Sequence, residues 1–263
     1  MTYDESQPNS LKKSIDILSV LIPVYNEAPT LSTSLRKLYK TLETLHCKFE
    51  VIIVESNSTD GSRDILQKLS ENLDFRLIYQ ESPKGKGHAI REAMNYMNGD
   101  VFLIFDADLE YNASDIPSLL KPIELGLSAF VLGSRHKDGK ALRIMKDVPI
   151  RAKVMNVAHK VFVSLLNFSL GTKMSDPFTM YKVFRREVFD GVKLTSNRFD
   201  FDWEIVIKAI RRGVAPIEIP IQYTSRSFAE GKKVRFLFDP ITWIIALVKF
   251  RFIDRNPKNP RET

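Results

Sequence analysis

Apolar and polar residues alternate in two rhythms over the first half of the chain. Short apolar runs, typical of buried strands, are separated by stretches in which an apolar residue recurs every three or four positions, as on one face of a helix. The predicted strands are residues 17–22, 49–54, 75–79, 101–105 and 129–133. This order predicts an α/β fold in which a doubly wound, mostly parallel sheet carries helices on both faces.

The second half follows a less regular order. The predicted elements are strands at 180–184 and 216–221 and helices at 148–170, 201–212 and 240–252, the last of these forming a C-terminal amphipathic helical segment. The residues expected to cap helices are Ser114, at the start of the fourth helix, and Gly213, at the end of the helix at 201–212. The domain division that we expect is a polar lead-in over 1–14, a single domain over 15–252 and a tail over 253–263.

Composition narrows the class of protein. Hydrophobic residues make up 44% of the 263 positions, which is enough for a packed core and argues against wholesale disorder. The formal charge of +7 favours phosphates, anionic lipid or nucleic acid as partners without choosing among them. Cys47 is the only cysteine, so no internal disulfide forms. With no secretory signal pattern and no apolar run of about 18 residues, we expect a cytoplasmic protein.

The segment after the fourth predicted strand carries the strongest chemical signal. Asp106 and Asp108 alternate there, and Glu110 follows two positions later. In extended backbone the two aspartates would point the same way. Carboxylate oxygens are the ligands that Mg²⁺ or Mn²⁺ prefers, so the triplet predicts a divalent cation site, with a solvated acidic turn as the alternative.

Three other loops follow predicted strands at the same edge of the sheet. The first holds Pro23, Tyr25 and Glu27, and the second holds Glu55 and Asp60. Both could bind the base or ribose of a nucleotide, although the second also contains good helix caps. The third, residues 82–88, combines glycines with Lys84 and Lys86, a pattern suited to phosphate groups, but it lacks the spacing of a P-loop.

Eight segments, taken in order, resemble the family 2 glycosyltransferases with the GT-A fold, and most closely their dolichyl- and polyprenyl-phosphate sugar synthases. The resemblance covers residues 17–252. The segments are SVLIPVYNE, VIIVESNSTDGS, PKGKGHAI, IFDADLE, LGSR, SDPFTMYKVFRREVF, FDWEI and PIQYTSRSFAEGKK. It implies that residues 15–135 bind the nucleotide-sugar, a GDP- or UDP-sugar, and that residues 136–252 face the acceptor.

Roles for particular residues follow from the resemblance. It implies that Asp106, Asp108 and Glu110 hold the metal. The donor-binding residues that it implies are Pro23, Tyr25, Glu27, Glu55, Asp60, Lys86, Gly87, Asp106, Ala107, Asp108, Arg226 and Lys232. The chain departs from the family where Glu55-Ser56 replaces two adjacent aspartates, which leaves the nucleotide open. In the dolichyl-phosphate branch a glycine usually precedes the aromatic residue that follows the Asp-Pro motif. Here Met180 precedes that aromatic residue, Tyr181, which leaves the fit of the acceptor open.

The resemblance also implies an inverting transfer, in which Asp108 acts at the departing diphosphate through the metal. Arg135 could clamp phosphate, with a surface arginine at a strand end as the alternative. Arg226, Lys232 and Lys233 could form a lid over the diphosphate, with a solvated basic loop as the alternative. A hydroxyl acceptor needs a general base, for which Asp202 and Glu204 are the candidates, whereas a lipid phosphate is already an anion near neutral pH. Lipid phosphate is the expected acceptor, and a hydroxyl of a growing cell-surface glycan is the alternative.

Two stretches rich in apolar and basic residues, 149–170 and 240–252, favour a peripheral contact with the cytoplasmic face of a membrane, although helices packed on a sheet look the same from sequence.

Less expected functions are a nucleotidyltransferase, which would carry a glycine-rich basic loop after the first strand, and a non-catalytic nucleotide-binding protein. No basic–aromatic motif supports nucleic acid as a partner. His88, His136 and His159 are scattered and show no zinc-site spacing.

Overall fold

The computed structural model describes residues 14–136, 149–198, 200–225 and 239–254. The expected lid residues, Arg226, Lys232 and Lys233, lie outside these ranges, as do most of the expected lead-in and tail. The strands are β1 (Ile17–Val24), β2 (Lys48–Glu55), β3 (Arg76–Tyr79), β4 (Val101–Ile104), β5 (Phe130–Ser134), β6 (Lys182–Arg185) and β7 (Ile217–Pro220). They form one sheet in the order β3-β2-β1-β4-β6-β5-β7, which confirms the predicted α/β class.

Strand β6 is the one antiparallel member of this sheet. It lies between β4 and β5 and pairs with both in the antiparallel sense, while the other neighbouring strands are parallel. Its first residue, Lys182, is therefore level with Ile104, the last residue of β4. Because ligands in such sheets bind beyond the carboxyl ends of the parallel strands, Lys182 starts its strand at the edge where a ligand is expected.

The helices fill the connections between strands. They are α1 (Ala28–Leu42), α2 (Ser62–Leu69), α3 (Lys86–Met94), α4 (Ile116–Glu124), α5 (Pro149–Leu170), α6 (Phe201–Arg211) and α7 (Asp239–Val248), the last continued by a π-helical turn over Lys249–Ile253. In the parts of the chain that the structure describes, none of these helices is both long and apolar enough to cross a bilayer.

The structure corrects one of the two expected caps. Asn112, not Ser114, is the capping residue: its side-chain oxygen accepts a hydrogen bond from the Ser114 N–H at the start of a 3₁₀ turn that leads into α4. Gly213 adopts a left-handed φ of 78° directly after α6, which confirms it as the residue that ends that helix.

Three stacked phenylalanines join β6 to its neighbours. The ring of Phe184 lies 4.2 Å from that of Phe130 on β5 and 5.3 Å from that of Phe102 on β4, measured between centroids. All three side chains are fully buried. Such pairs contribute roughly 0.5–1.5 kcal/mol each beyond the burial of their area, so they help to hold the antiparallel strand in register.

A buried ion pair fastens helix α6 to the loop before it. The Glu204 carboxylate accepts hydrogen bonds from the backbone N–H groups of Thr195 and Ser196, and the Lys208 ammonium donates to Glu204 at 2.7 Å. Lys208 also donates to the Lys193 carbonyl oxygen. Both side chains are buried, and Lys208 also lies 2.8 Å from a carboxylate oxygen of Asp254. The ammonium group is therefore offset by two carboxylates, whereas Glu204 depends on Lys208 as its cation.

We predict that Lys208→Met lowers the free energy of unfolding by about 3–5 kcal/mol, because it leaves the Glu204 carboxylate buried without its cation. Lys193→Met is the matched control: it removes an exposed lysine from the same loop, and its effect should stay within about 0.5 kcal/mol. Urea denaturation followed by circular dichroism measures both. Equal stability of the two variants would contradict the structural role of the pair.

Candidate active site

The acidic loop after β4 turns sharply. The Phe105 N–H still donates to the Leu21 carbonyl oxygen, but the chain then bends, and Leu109 adopts a left-handed φ of 61°. The Asp108 carboxylate accepts a hydrogen bond from the Glu110 N–H, which fixes this turn. The expectation that Asp106 and Asp108 alternate in extended backbone is therefore wrong, because β4 ends at Ile104. Ala107, between them, is buried.

The carboxylates nevertheless gather around one ammonium group. Lys86, the first residue of α3, places its Nζ 2.6 Å from an oxygen of Asp106. Burial by itself would lower the pKa of Lys86, but the charges of Asp106, Asp202 and Asp108 outweigh it and raise the pKa. The loops after β3 and β4 and the first turn of α6 thus bring three of the predicted acids to one lysine.

Close packing holds the loop that carries Lys86. A Cβ added to Gly87 would lie 2.6 Å from the Cβ of Phe201, and one added to Gly85 would lie 2.4 Å from the Asn197 carbonyl oxygen. Arg91 donates to the carbonyl oxygen of Ser196 in the same segment. The glycines let the start of α3 lie directly against the start of α6, so Gly87, expected to bind the donor, also has a packing role.

The buried ammonium group of Lys182 holds Asp202 in place. Lys182 is fully buried, and its Nζ donates to the Asp202 carboxylate at 2.7 Å and to the Thr179 carbonyl oxygen. Burial lowers the pKa of Lys182, and the charge of Asp202 opposes that shift only in part. The sequence reasoning missed Lys182, although a lysine that begins an otherwise apolar strand is a usable signal of a buried charge.

Glu110 takes its position from a group of tyrosines. The Tyr223 hydroxyl donates to the Glu110 carboxylate at 2.6 Å, and the Tyr223 and Tyr111 rings lie 5.3 Å apart. Tyr181 packs on Tyr111 and donates its hydroxyl to the Asn112 carbonyl oxygen. The aromatic packing therefore fixes the backbone directly after Glu110, the third predicted metal ligand.

Arg135 is held by Asp176. Its Nε and a terminal nitrogen donate to the two oxygens of Asp176 at 2.6 and 2.7 Å, and its backbone N–H donates to the same carboxylate. Burial opposes the charge on both groups, but mutual attraction outweighs it, so the pKa of Asp176 is lowered and that of Arg135 is raised. The Arg135 guanidinium also lies 5.1 Å from the Tyr223 ring, which places it near Glu110.

Asp60 connects the loops after β1 and β2, and Glu55 braces the second of these loops. Glu55 is buried and accepts hydrogen bonds from the Ser58 N–H and the Arg63 side chain. Asp60 accepts from the Ala28 N–H at the start of α1 and from the Ser62 N–H and hydroxyl. These contacts give both acids a structural use. Direct contact of these residues, or of Pro23, Tyr25 and Glu27, with a nucleotide stays a prediction.

Of the two predicted general bases, the structure favours one. The Glu204 carboxylate is fully buried and engaged by backbone N–H groups and by Lys208, so it is poorly suited to accept a proton from a substrate. Asp202 is partly exposed, with 12% of its side chain accessible, and its charge reaches Lys86. Asp202 is therefore the acid of α6 that belongs to this edge of the sheet.

The chemistry of this edge suits a divalent cation. Four carboxylates (Asp106, Asp108, Glu110 and Asp202) lie in the region of the two ammonium groups of Lys86 and Lys182. The pair of Arg135 and Asp176 is neutral by itself. Carboxylate oxygens are the ligands that a hard cation such as Mg²⁺ or Mn²⁺ prefers.

The structure also corrects the view that the histidines are scattered. The rings of His136 and His159 lie 4.9 Å apart, and their nitrogens and an oxygen of Asp176 all lie within 4.8 Å of one another. The 23-residue separation hid this cluster, because α5 closes it in space. A cation there would have to compete with Arg135, which already binds both oxygens of Asp176.

Relatives of known activity resemble the chain over most of its length. It is 29% identical over 235 residues to a dolichol-phosphate mannosyltransferase of Pyrococcus furiosus, an alignment that covers 89% of this chain and 64% of that protein. It is 27% identical over 237 residues to an undecaprenyl-phosphate 4-deoxy-4-formamido-L-arabinose transferase of Edwardsiella ictaluri, covering 88% of this chain and 68% of that protein. The chain thus spans about two thirds of the length of these relatives.

Two solved structures share the fold. A mannosyltransferase of Pyrobaculum calidifontis, in complex with GDP-Man and Mn²⁺, matches with a TM-score of 0.55 and 20% identity, covering 82% of this chain and 59% of that chain. A glucosyl-3-phosphoglycerate synthase of M. tuberculosis matches with a TM-score of 0.68 and 19% identity, covering 93% and 84%.

Residues 19–192 match the model of the family described as glycosyl transferase family 2. This range runs from β1 through β6 and includes the acidic loop, Lys86, Arg135 and Lys182. The chain belongs to glycosyl transferase family 2.

Proposed function

We propose that this protein transfers a sugar, with inversion, from a GDP- or UDP-sugar to the phosphate of a polyprenyl or dolichyl lipid at a membrane surface. The observation that carries the proposal is the group of carboxylates beyond β4, where Asp106 pairs with Lys86 at 2.6 Å and Asp108 and Glu110 follow in the same loop. A nucleoside diphosphate and a divalent cation fit this edge together, since diphosphate oxygens complete the shell of such ions.

Asp106, Asp108 and Glu110 would hold the cation. When bound, a Mg²⁺ or Mn²⁺ ion stabilises the negative charge that develops on a departing diphosphate. Asp108 and Glu110 are already oriented, the first by the Glu110 N–H and the second by the Tyr223 hydroxyl. Fixed ligands of this kind avoid the cost of reorganisation during the reaction.

Lys86 and Arg135 are the described cations proposed to contact the diphosphate. Lys86 pairs with Asp106 and lies at the start of α3, where backbone N–H groups also favour anions. Arg135 is close to Tyr223 and keeps its charge because Asp176 compensates it. Arg226 and Lys232 complete the proposed diphosphate contacts on the strength of the family resemblance.

Two considerations support a lipid phosphate as the acceptor. A phosphate monoester, with a second pKa of about 6, needs no general base, and Glu204 is engaged elsewhere. The relatives aligned over 88–89% of the chain include a dolichol-phosphate mannosyltransferase and an undecaprenyl-phosphate sugar transferase. A glycan hydroxyl is the second candidate acceptor, because Asp202 could serve it as base.

Two exposed apolar stripes support a membrane location. On α5 the exposed apolar residues follow helical spacing; they are Val157, Val161, Leu165 and Phe168. The second stripe lies on α7 and the π-helical turn after it. Its exposed apolar residues are Ile244, Ile245, Val248, Phe252 and Ile253. Arg251 donates to the Ser169 carbonyl oxygen, which brings the two stripes together, and the exposed Lys160 and Lys249 suit anionic headgroups.

We predict that Asp108→Asn weakens Mn²⁺ binding in the presence of GDP or UDP by roughly tenfold or more, because it removes a charged ligand while its side-chain oxygen still accepts from the Glu110 N–H. His159→Ala tests the rival cluster and should leave Mn²⁺ binding unchanged. Titration calorimetry measures both variants. Loss of binding in the histidine variant alone would move the metal site to His136 and His159.

For the acceptor, we expect incubation with Mn²⁺ and a panel of GDP- and UDP-sugars to give a lipid whose mass equals polyprenyl phosphate plus one sugar. Polyprenol, which carries a hydroxyl in place of the phosphate, is the control acceptor and should receive no sugar. Asp108→Asn should lower the rate at least about a hundredfold with the melting temperature retained. Transfer to hydroxyls but not to phosphate would contradict the proposed acceptor.

The membrane contact is testable with vesicles containing phosphatidylglycerol. We expect them to retain the protein at low salt and release part of it at high salt. The double variant Phe168→Glu, Phe252→Glu should bind roughly tenfold more weakly or worse, since each ring loses apolar contact. Leu127→Glu, at an exposed apolar residue outside both stripes, is the control. Equal retention of both variants would exclude the two helices as the contact.

A further inference from the structure

One buried charged group at the site has no use in the reaction described so far. Lys182 lies at the start of the antiparallel strand β6, between β4 and β5, with none of its side chain exposed. Burying an ammonium group is costly unless it is paired and hydrogen-bonded. An apolar residue, like the valine and phenylalanine that follow it, would fill this position without that cost, so the lysine calls for a functional account.

Asp202 is the charged partner of Lys182. Its Nζ donates to one oxygen of that carboxylate at 2.7 Å, and the Thr179 carbonyl oxygen accepts a second hydrogen bond. Among the described residues, no hydrogen bond is found to the other oxygen of Asp202. Lys182 thus fixes one oxygen of Asp202, and 12% of the Asp202 side chain stays accessible to solvent.

The packing of α6 against α3 places Asp202 near the diphosphate region. A Cβ added to Gly87 would lie 2.6 Å from the Cβ of Phe201, the residue before Asp202. Lys86, the residue before Gly87, binds Asp106 at 2.6 Å, so Asp202 lies close to the acidic loop. In a nucleotide-sugar the sugar is the group attached directly beyond the diphosphate, and the hydroxyls of a sugar are hydrogen-bond donors that a carboxylate accepts strongly.

We propose that Lys182 is a positioning residue that holds Asp202 so that its second oxygen accepts a hydrogen bond from a hydroxyl of the donor sugar. This inference rests on the proposed function, because it assumes a nucleotide-sugar at the acidic loop. It assigns to the pair the recognition of the sugar, as distinct from the nucleotide, and it requires that both members be present for that recognition.

The test compares the affinities for a nucleotide-sugar and for its nucleoside diphosphate, measured by calorimetry with Mn²⁺. GDP, UDP, GDP-mannose and UDP-glucose are the probes, and the ratio of the two dissociation constants is the readout. In Asp202→Asn the preference for the sugar conjugate should fall roughly 10- to 100-fold, the loss typical of a hydrogen bond to a charged group. Binding of the bare diphosphate should change little.

Variants of Lys182 separate positioning from a structural role. Lys182→Met alone should lower the denaturation midpoint, because it leaves Asp202 without its cation. Lys182→Met combined with Asp202→Asn replaces the ion pair by neutral groups, so the midpoint should recover while the preference for the sugar conjugate stays lost. Lys182→Arg, which restores a cation, should keep most of the preference.

The matched control is the ion pair of Arg185 and Asp100, at the other end of the same strand, with a distance of 3.0 Å. Arg185→Met combined with Asp100→Asn should change stability but not the ratio of affinities. If the neutral Lys182 and Asp202 variant keeps the wild-type ratio, the pair is structural and the inference is overturned. If the wild-type protein binds none of the four probes, the proposed function itself fails.

Discussion

Repulsion between like charges is the constraint that organises this molecule. The sheet brings its strand ends to one edge, and the loops there carry four carboxylates within a small region. Such a group is stable only if cations are supplied at matching positions. Lys86 supplies one from the start of α3, and Lys182 supplies another from inside the sheet. The carboxylate oxygens of Asp106, Asp108 and Glu110 are what make the edge suitable for a divalent ion.

The antiparallel strand β6 is what allows this arrangement. A parallel strand at the same place would bring its last residue to the active edge, whereas β6 brings its first, Lys182. The stacked rings of Phe102, Phe184 and Phe130 hold the strand in register, so the position of a charged group at the edge depends on apolar packing several residues away. Fold and chemistry are coupled at this strand.

The order of strands and helices was predictable because hydrophobic periodicity is a local property, and all seven strands lie where the apolar runs indicated. The acidic residues of the loop after β4 were predictable because they directly follow an apolar run that predicts a strand. What the sequence could not reveal were contacts between distant residues: Lys182 with Asp202, Tyr223 with Glu110, and His136 beside His159. The structural contacts of Glu204 were not predictable because its backbone partners, Thr195 and Ser196, lie outside the helical pattern.

The most direct measurement is the anomalous diffraction of Mn²⁺ in crystals grown with the nucleoside diphosphate that binds. Our account predicts one strong peak per chain, about 2.0–2.2 Å from carboxylate oxygens of the loop that contains Asp106 and Asp108. It also predicts diphosphate oxygens on the opposite side of the ion. A peak between His136 and His159, with none at the acidic loop, would contradict the assignment of this edge as the centre of sugar transfer.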